Sequence, residues 1–345
     1  MHPTTEEVKG LVERIESNPL GRIMHGSREL FHSNLLSWYF DALPDAADAT
    51  FRPLSIPAEG TERLAEREHT NLDLVLRWPD LAPLVIENKV FAVPDRTQLD
   101  RYEDKVSGWP VRPSLVLLSP TTPVDGLGNW THVSYRALGQ RIRDALTTDG
   151  AYEVETMRRY ADLAIDLQSL LELAVVTSDD ETVWIEPSVL EAISSKHLRA
   201  ALGKARAQYV AAAISERVQL HGHVSAAFTR GQPLVQVFDV MKTDGLKIRA
   251  GWQLQGSQFR RAVVYLGSRM SGGSNRRRQL REDTSREHPD LFVIPSALPQ
   301  VRAGRREFQH YAPDFVYQYV SVPNLTFGQL KHAAAEIDQT LQAMR

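Results

Sequence analysis

Asp73, Glu87 and Lys89 supply two carboxylates and an ammonium, and the residues around them bring all three to one place. Leu72, Leu74 and Leu76 alternate with Asp73, Val75 and Arg77, the period-two pattern of a half-buried strand. Trp78-Pro79-Asp80-Leu81-Ala82 has turn chemistry. Leu84-Val85-Ile86 then opens a more apolar strand ending in Glu87-Asn88-Lys89-Val90. If Arg77 lies opposite Pro83, antiparallel pairing sets Asp73 opposite Glu87. Opposed residues share a sheet face, with Cβ atoms about 4.5–5.5 Å apart. Lys89, two residues beyond Glu87, shares that face. A one-residue slip would scatter the set.

Two carboxylates so close repel, and the pKa of one must rise unless a cation intervenes. Mg²⁺ suits the place, because it takes oxygen from one or two carboxylates together with waters and phosphates. Mn²⁺ is the alternative ion. Lys89 can then orient an attacking water or stabilise charge developing on phosphorus. The peptide carbonyl of Asn88 is a further candidate ligand. The chemistry expected of this face is metal-dependent hydrolysis of a phosphodiester.

The elements that must position these groups follow from periodicity. A helix is predicted over 5–17, with Thr4 and Glu7 at capping-box spacing. A second should run from Ser27 to Leu43, where Pro44 ends it, and 44–60 reads as a loop. After the two strands come a helix over 96–107 capped by Asp95 and stopped by Gly108, an apolar strand at 114–118, a strand over 131–135 and a helix over 136–147. This order defines an α/β (α+β) layer arrangement. Long helices are predicted over 151–176 and 187–219. Strands follow at 235–240, 246–253, 262–266 and 315–321, and a helix closes the chain over 326–344. The expected organisation is a catalytic core over 1–150, a helical connector over 151–220, and a β-rich α+β region over 221–345.

The pair Asn71-Leu72-Asp73-Leu74-Val75 and Val85-Ile86-Glu87-Asn88-Lys89 resembles the PD-(D/E)XK nuclease superfamily, the restriction-endonuclease-like fold. The likeness covers roughly residues 25–135. It implies an αβββαβ core with a mixed sheet flanked by helices, and a Mg²⁺-dependent phosphodiesterase. Glu29, in Arg28-Glu29-Leu30-Phe31-His32-Ser33, resembles the helix glutamate that some members add to the metal site. Gln98 and Tyr102 resemble the Gln-X3-Tyr segment that follows the lysine strand in one bacterial branch. One departure is Leu72, which stands where members often carry proline. The resemblance implies DNA as substrate in preference to RNA, and a role in bacterial defence or DNA processing. Cutting both strands of a duplex needs two such sites, which a homodimer would supply. The rivals are an RNA or junction nuclease and a catalytically silent binding or regulatory protein on the same fold.

Each residue also has a plainer role. Glu87 and Lys89 can form a salt bridge on a solvated strand, and Glu29 can favour a helix dipole. Gln98 stands three residues after Asp95, a capping distance, and Tyr102 can pack on the sheet. For His32 a structural role is expected, and for Glu68 an ordinary loop glutamate. His221 and His223 suit a turn better than a metal pair, with no third ligand nearby.

A net charge of −3 gives no global signal for nucleic acid, so contact with it must be local. Arg276, Arg277, Arg278 and Arg281 form the clearest basic cluster, with Arg286, Arg302, Arg305 and Arg306 beyond. The stretch from Ser268 to Pro289, with six arginines, reads as an exposed loop that can clamp phosphates. The absence of cysteine excludes disulfides, thiol nucleophiles and cysteine-ligated metals. No apolar run is long enough to span a membrane, and the polar N-terminus lacks signal-peptide character, so a cytoplasmic location is expected.

Overall fold

The computed structural model of the protein describes residues 4–24, 28–92, 94, 96–122, 126–243, 245–266, 273–298 and 306–345. Asp95, Arg302 and Arg305 lie outside the described residues. The chain forms two compact units of mixed α and β structure, Met1–Leu173 with Pro187–Arg199, and Ala174–Glu186 with Ala200–Arg345. The expected connector is therefore shared between them.

The first unit opens with α1 (Thr5–Ser17), α2 (Pro19–Met24), α3 (Arg28–Ala42) and α4 (Pro44–Phe51). Thr4 and Glu7 form the expected capping box, and Val8, Leu11, Val12 and Ile15 are buried. Pro44 does follow the end of α3, but it also opens α4 as a first-turn proline, so the expected loop is partly helical. Asp48 of α4 accepts hydrogen bonds from Trp78 Nε1 (2.8 Å) and Arg63 Nη2 (3.3 Å). These tertiary bonds stabilise a helix too short to show a hydrophobic period.

The sheet follows as β1 (Leu64–His69), β2 (Leu72–Trp78) and β3 (Leu81–Asn88), then α5 (Arg96–Val106), β4 (Ser114–Leu118) and β5 (Trp130–Val133). Strand order is β1-β2-β3-β4-β5, antiparallel as far as β3 and parallel from β3 to β5. The elements run α3-α4-β1-β2-β3-α5-β4, so α4 and a short 3-10 turn stand between the helix and the strands of the expected order. Every residue of β3 is buried, as a central strand covered on both faces requires. On one face Val75, Val85, Leu115 and Leu117 pack against Leu99, Tyr102 and Val106 of α5. On the other lies α3, which touches α7 (Tyr152–Glu172); α6 (Tyr135–Ala145) packs on α7 and α4, and α8 (Pro187–Ala192) packs on α1.

The second unit contains α9 (Lys196–Arg217) from residue 200 onward, β6 (His223–Thr229), β7 (Gln232–Thr243), β8 (Leu246–Gln255), β9 (Gln258–Leu266), α10 (Ser274–Glu287), β10 (Gln309–Ala312), β11 (Phe315–Ser321) and α11 (Phe327–Ala343). Its strands form one antiparallel sheet in the order β10-β11-β9-β8-β7-β6. Val237, Trp252, Phe259, Val263 and Val316 share a face, and α9 and α11 bury it through Val210, Ile214, Leu330 and Ile337. The helix expected over 187–219 is broken into α8 and α9, where Ser195 Oγ accepts the N–H of Leu198.

The arginine-rich stretch corrects an expectation. From Ser274 onward it is the helix α10 and not a loop. Its anchors are polar. Ser285 is buried against Tyr265, hydroxyl to hydroxyl at 2.9 Å, and buried Arg281 lies over the Tyr265 ring and bonds Asp314.

Candidate active site

The assumed register is the observed one. Leu74, Val75 and Leu76 pair with Ile86, Val85 and Leu84, the alignment that sets Asp73 opposite Glu87. The turn is tighter than expected. Trp78 pairs with Leu81 around Pro79-Asp80, and an irregularity between Leu76 and Trp78 absorbs the difference.

Asp73 is half-buried and Glu87 only 1% exposed. The Asp73 carboxylate accepts the N–H of Asn88 at 2.7 Å, fixing it to the end of β3. Lys89 Nζ lies 2.8 Å from Glu87 Oε1, and Gln98 Nε2 donates to the same oxygen at 3.0 Å. Gln98 Nε2 also donates to the Tyr102 hydroxyl at 2.8 Å. One amide from α5 thus ties Tyr102 to the β3 carboxylate, and both residues expected to support the site are in it.

Lys89 is only 9% exposed, so the Glu87–Lys89 pair is not a solvated strand-face salt bridge. A buried ion pair loses more hydration than its attraction returns unless other groups satisfy it. Burial raises the pKa of Asp73 above the ordinary carboxylate value, against the opposing pull of the Asn88 N–H, the Lys89 charge and a hydrogen bond with Glu87. The nearby charge of Glu68 raises it further. Glu68, expected to be an ordinary loop glutamate, lies instead inside β1, between the paired residues Arg67 and His69, with a left-handed φ of 52°.

Asn88 is fully buried and faces α3, where its Nδ2 donates to Ser33 Oγ at 2.6 Å. The strand end carrying the candidate carbonyl ligand is therefore held from both sides. Ser33 was not singled out from the sequence; its one signal is a position a helical turn beyond Glu29. Glu29 itself belongs to α3, but its side chain lies outside the described residues. Among the described residues, no group of three or more His, Asp and Glu converges on one point.

His32 is structural. It is fully buried, Nδ1 lies 2.9 Å from the Tyr160 hydroxyl, and its ring packs 5.0 Å from that of Tyr135. Burial pushes its pKa down to about 3. The unfolded chain takes up this proton near the ordinary value of 6.5, and the folded chain does not until about 3. Stability is therefore lost as pH falls through that window, by roughly 1 kcal/mol per pH unit. Urea midpoints between pH 7.5 and 5 should fall more steeply for the parent than for His32→Gln; equal slopes would contradict this origin.

The other candidates belong to the second unit. Arg277 and Arg281 both bond Asp314, and Arg286 bonds Glu307. Arg276 and Arg278 are exposed on α10. His221 bonds Asp338 through its N–H and Nδ1, both at 2.9 Å, in the turn between α9 and β6. No helix among the described residues is long and apolar enough to cross a membrane. Comparison with protein-family models, curated proteins and solved structures returned no match.

Proposed function

We propose that the chain is a metal-dependent nuclease that hydrolyses phosphodiester bonds of DNA in the cytoplasm, with its reaction centre at Asp73, Glu87 and Lys89. The observation that carries this is the convergence of two carboxylates and a lysine at the buried end of β2 and β3. There, a second element, α5, contributes a side chain bonded to Glu87. The resemblance to the PD-(D/E)XK superfamily supports it.

The residues present fit Mg²⁺. Burial first, and then the Glu68 charge, hold the Asp73 pKa above its ordinary value, an electrostatic cost that a cation beside the two carboxylates would offset. Asp73 and Glu87 would hold the ion as hard oxygen donors, with Glu29 and the Asn88 carbonyl as further ligands. Bound there, the ion would supply charge neutralisation at phosphate and a more acidic water. Lys89 holds a positive charge beside the reacting phosphate and orients the water. Gln98 fixes the Glu87 carboxylate, and Tyr102 fixes Gln98.

Gln98→Ala should lower cleavage by about 10–100-fold, as loss of a ligand-orienting bond does elsewhere. Unchanged rates would remove Gln98 from the site. A panel of single-stranded, duplex and circular DNA and of RNA, incubated with Mg²⁺, Mn²⁺ or EDTA, tests the function itself. DNA cleavage dependent on the added ion is the expected result. Cleavage of RNA alone would favour the RNA reading, and no cleavage with retained binding the silent one.

A further inference from the structure

One face of the second unit's sheet is covered by α9 and α11, and the opposite face carries a different set of side chains. The pairing Phe238–Gly251–Ala262–Tyr317 runs across it, and Val240–Arg249–Val264–Phe315 lies alongside. Strands lie about 4.8 Å apart, so Phe238 and Phe315 belong to strands roughly 14 Å apart in a flat sheet. Their ring centroids are nevertheless 6.1 Å apart, above the small residues Gly251 and Ala262. Arg230, in the turn between β6 and β7, lies 5.4 Å from the ring of Tyr311 on the far edge strand. The sheet curls, and this face is its concave side.

Phe315, Tyr317 and Tyr319 follow one another along β11 with centroid separations of 6.1 and 6.4 Å, all of them half-buried. Arg260 lies 5.2 Å from the Tyr317 ring. Lys242, Lys247 and Arg249 project from the same face and are exposed. Among the described strand residues sharing this face there is no carboxylate. In a chain of net charge −3 this is a local, acid-free basic surface interleaved with aromatic rings.

Building on the nuclease reading of the first unit, we propose that this concave face binds single-stranded nucleic acid, DNA in the first instance, with bases against Phe315, Tyr317 and Tyr319 and phosphates at Arg230, Arg249 and Lys247. Aromatic side chains can stack only on bases released from a duplex, and a basic groove tracks the backbone without reading sequence. The rings and the cations together select this occupant over an acidic polypeptide, which would need only the charges.

The test is binding without turnover. Fluorescence anisotropy of the full chain in EDTA would use a labelled DNA strand of about 20 nucleotides, enough to fill such a site, with its duplex and the matching RNA strand. The single strand should bind at least about tenfold more tightly than the duplex, with affinity falling as salt rises. Tyr317→Ala with Tyr319→Ala should weaken it by about tenfold or more. Arg249→Gln with Lys247→Gln alters only exposed residues, so folding is preserved, and it should flatten the salt slope by about 1.5. RNA bound with equal affinity supports the same chemistry from another polymer. Equal affinity for duplex, an unchanged salt slope in the charge variant, or displacement of the strand by polyglutamate at equal charge would each overturn the proposal. Failure to cleave DNA in Mg²⁺ would not, since it bears on Asp73, Glu87 and Lys89 alone.

Discussion

Asp73→Asn should melt at a higher temperature than the parent protein in EDTA, yet lose at least about a hundredfold in Mg²⁺-dependent cleavage. The two effects share one cause. A carboxyl whose folded pKa is raised contributes stability fully present below the ordinary carboxylate value, and that contribution is lost as pH rises through the folded value. At neutral pH, without a cation, the ionised Asp73 is therefore a burden on the fold, because burial and the Glu68 charge both oppose its ionisation. Asparagine removes the charge and still offers an oxygen to the Asn88 N–H. Millimolar Mg²⁺ should raise the melting temperature of the parent and leave Asp73→Asn unmoved. Lys89→Ala should keep a Mg²⁺-induced shift while losing about 10²–10³-fold in cleavage, since in the proposed reaction its charge would act on the phosphate. A lower melting temperature for Asp73→Asn in EDTA would show that the carboxylate is structural.

Arg206→Met should cost about 3–5 kcal/mol in the second unit, as removal of one partner from a buried ion pair does. Arg206 is 2% exposed and donates to the carbonyls of Val183 and Val175, each at 2.8 Å, to that of Thr182, and to Glu181 at 3.1 Å. A single guanidinium thereby fastens the segment 174–186 to α9. Burial alone would raise the Glu181 pKa, but the Thr177 N–H and Arg206 hold it below its ordinary value. Without Arg206 that charge keeps only its bonds from Thr177, and three carbonyls lose the guanidinium. Hydrogen exchange should show the loss in segment 174–186 and α9, and Arg206→Met with Glu181→Gln should recover part of it. A single variant as stable as the parent would mean that water replaces the guanidinium.

The hairpin of β2 and β3 was legible because apolar alternation and a Pro-Asp turn leave one register that buries Leu74, Leu76 and Ile86. The elements that sequence patterns missed include edge strands and helices held by polar contacts. β1 and β6, edge strands, have no fully buried residue, so no alternation marks them. α10 rests on Arg281 and Ser285, and α4 on Asp48, residue types that suggest loops when read alone. The site was legible to the same degree. Asp73, Glu87, Lys89, Gln98 and Tyr102 lie on elements with strong periods, whereas Ser33 meets Asn88 across the sheet, a pairing no local pattern encodes. Arg277 and Arg281 carry charge suited to phosphate, but a carboxylate distant in sequence, Asp314, engages both.

The central claim is phosphodiester hydrolysis at Asp73, Glu87 and Lys89, and the most direct measurement is nicking of circular DNA by the purified full chain, with and without Mg²⁺, beside Asp73→Asn. Nicking that needs the ion and disappears in the variant is the predicted result. Nicking that persists in EDTA, or that proceeds equally in Asp73→Asn, would contradict it.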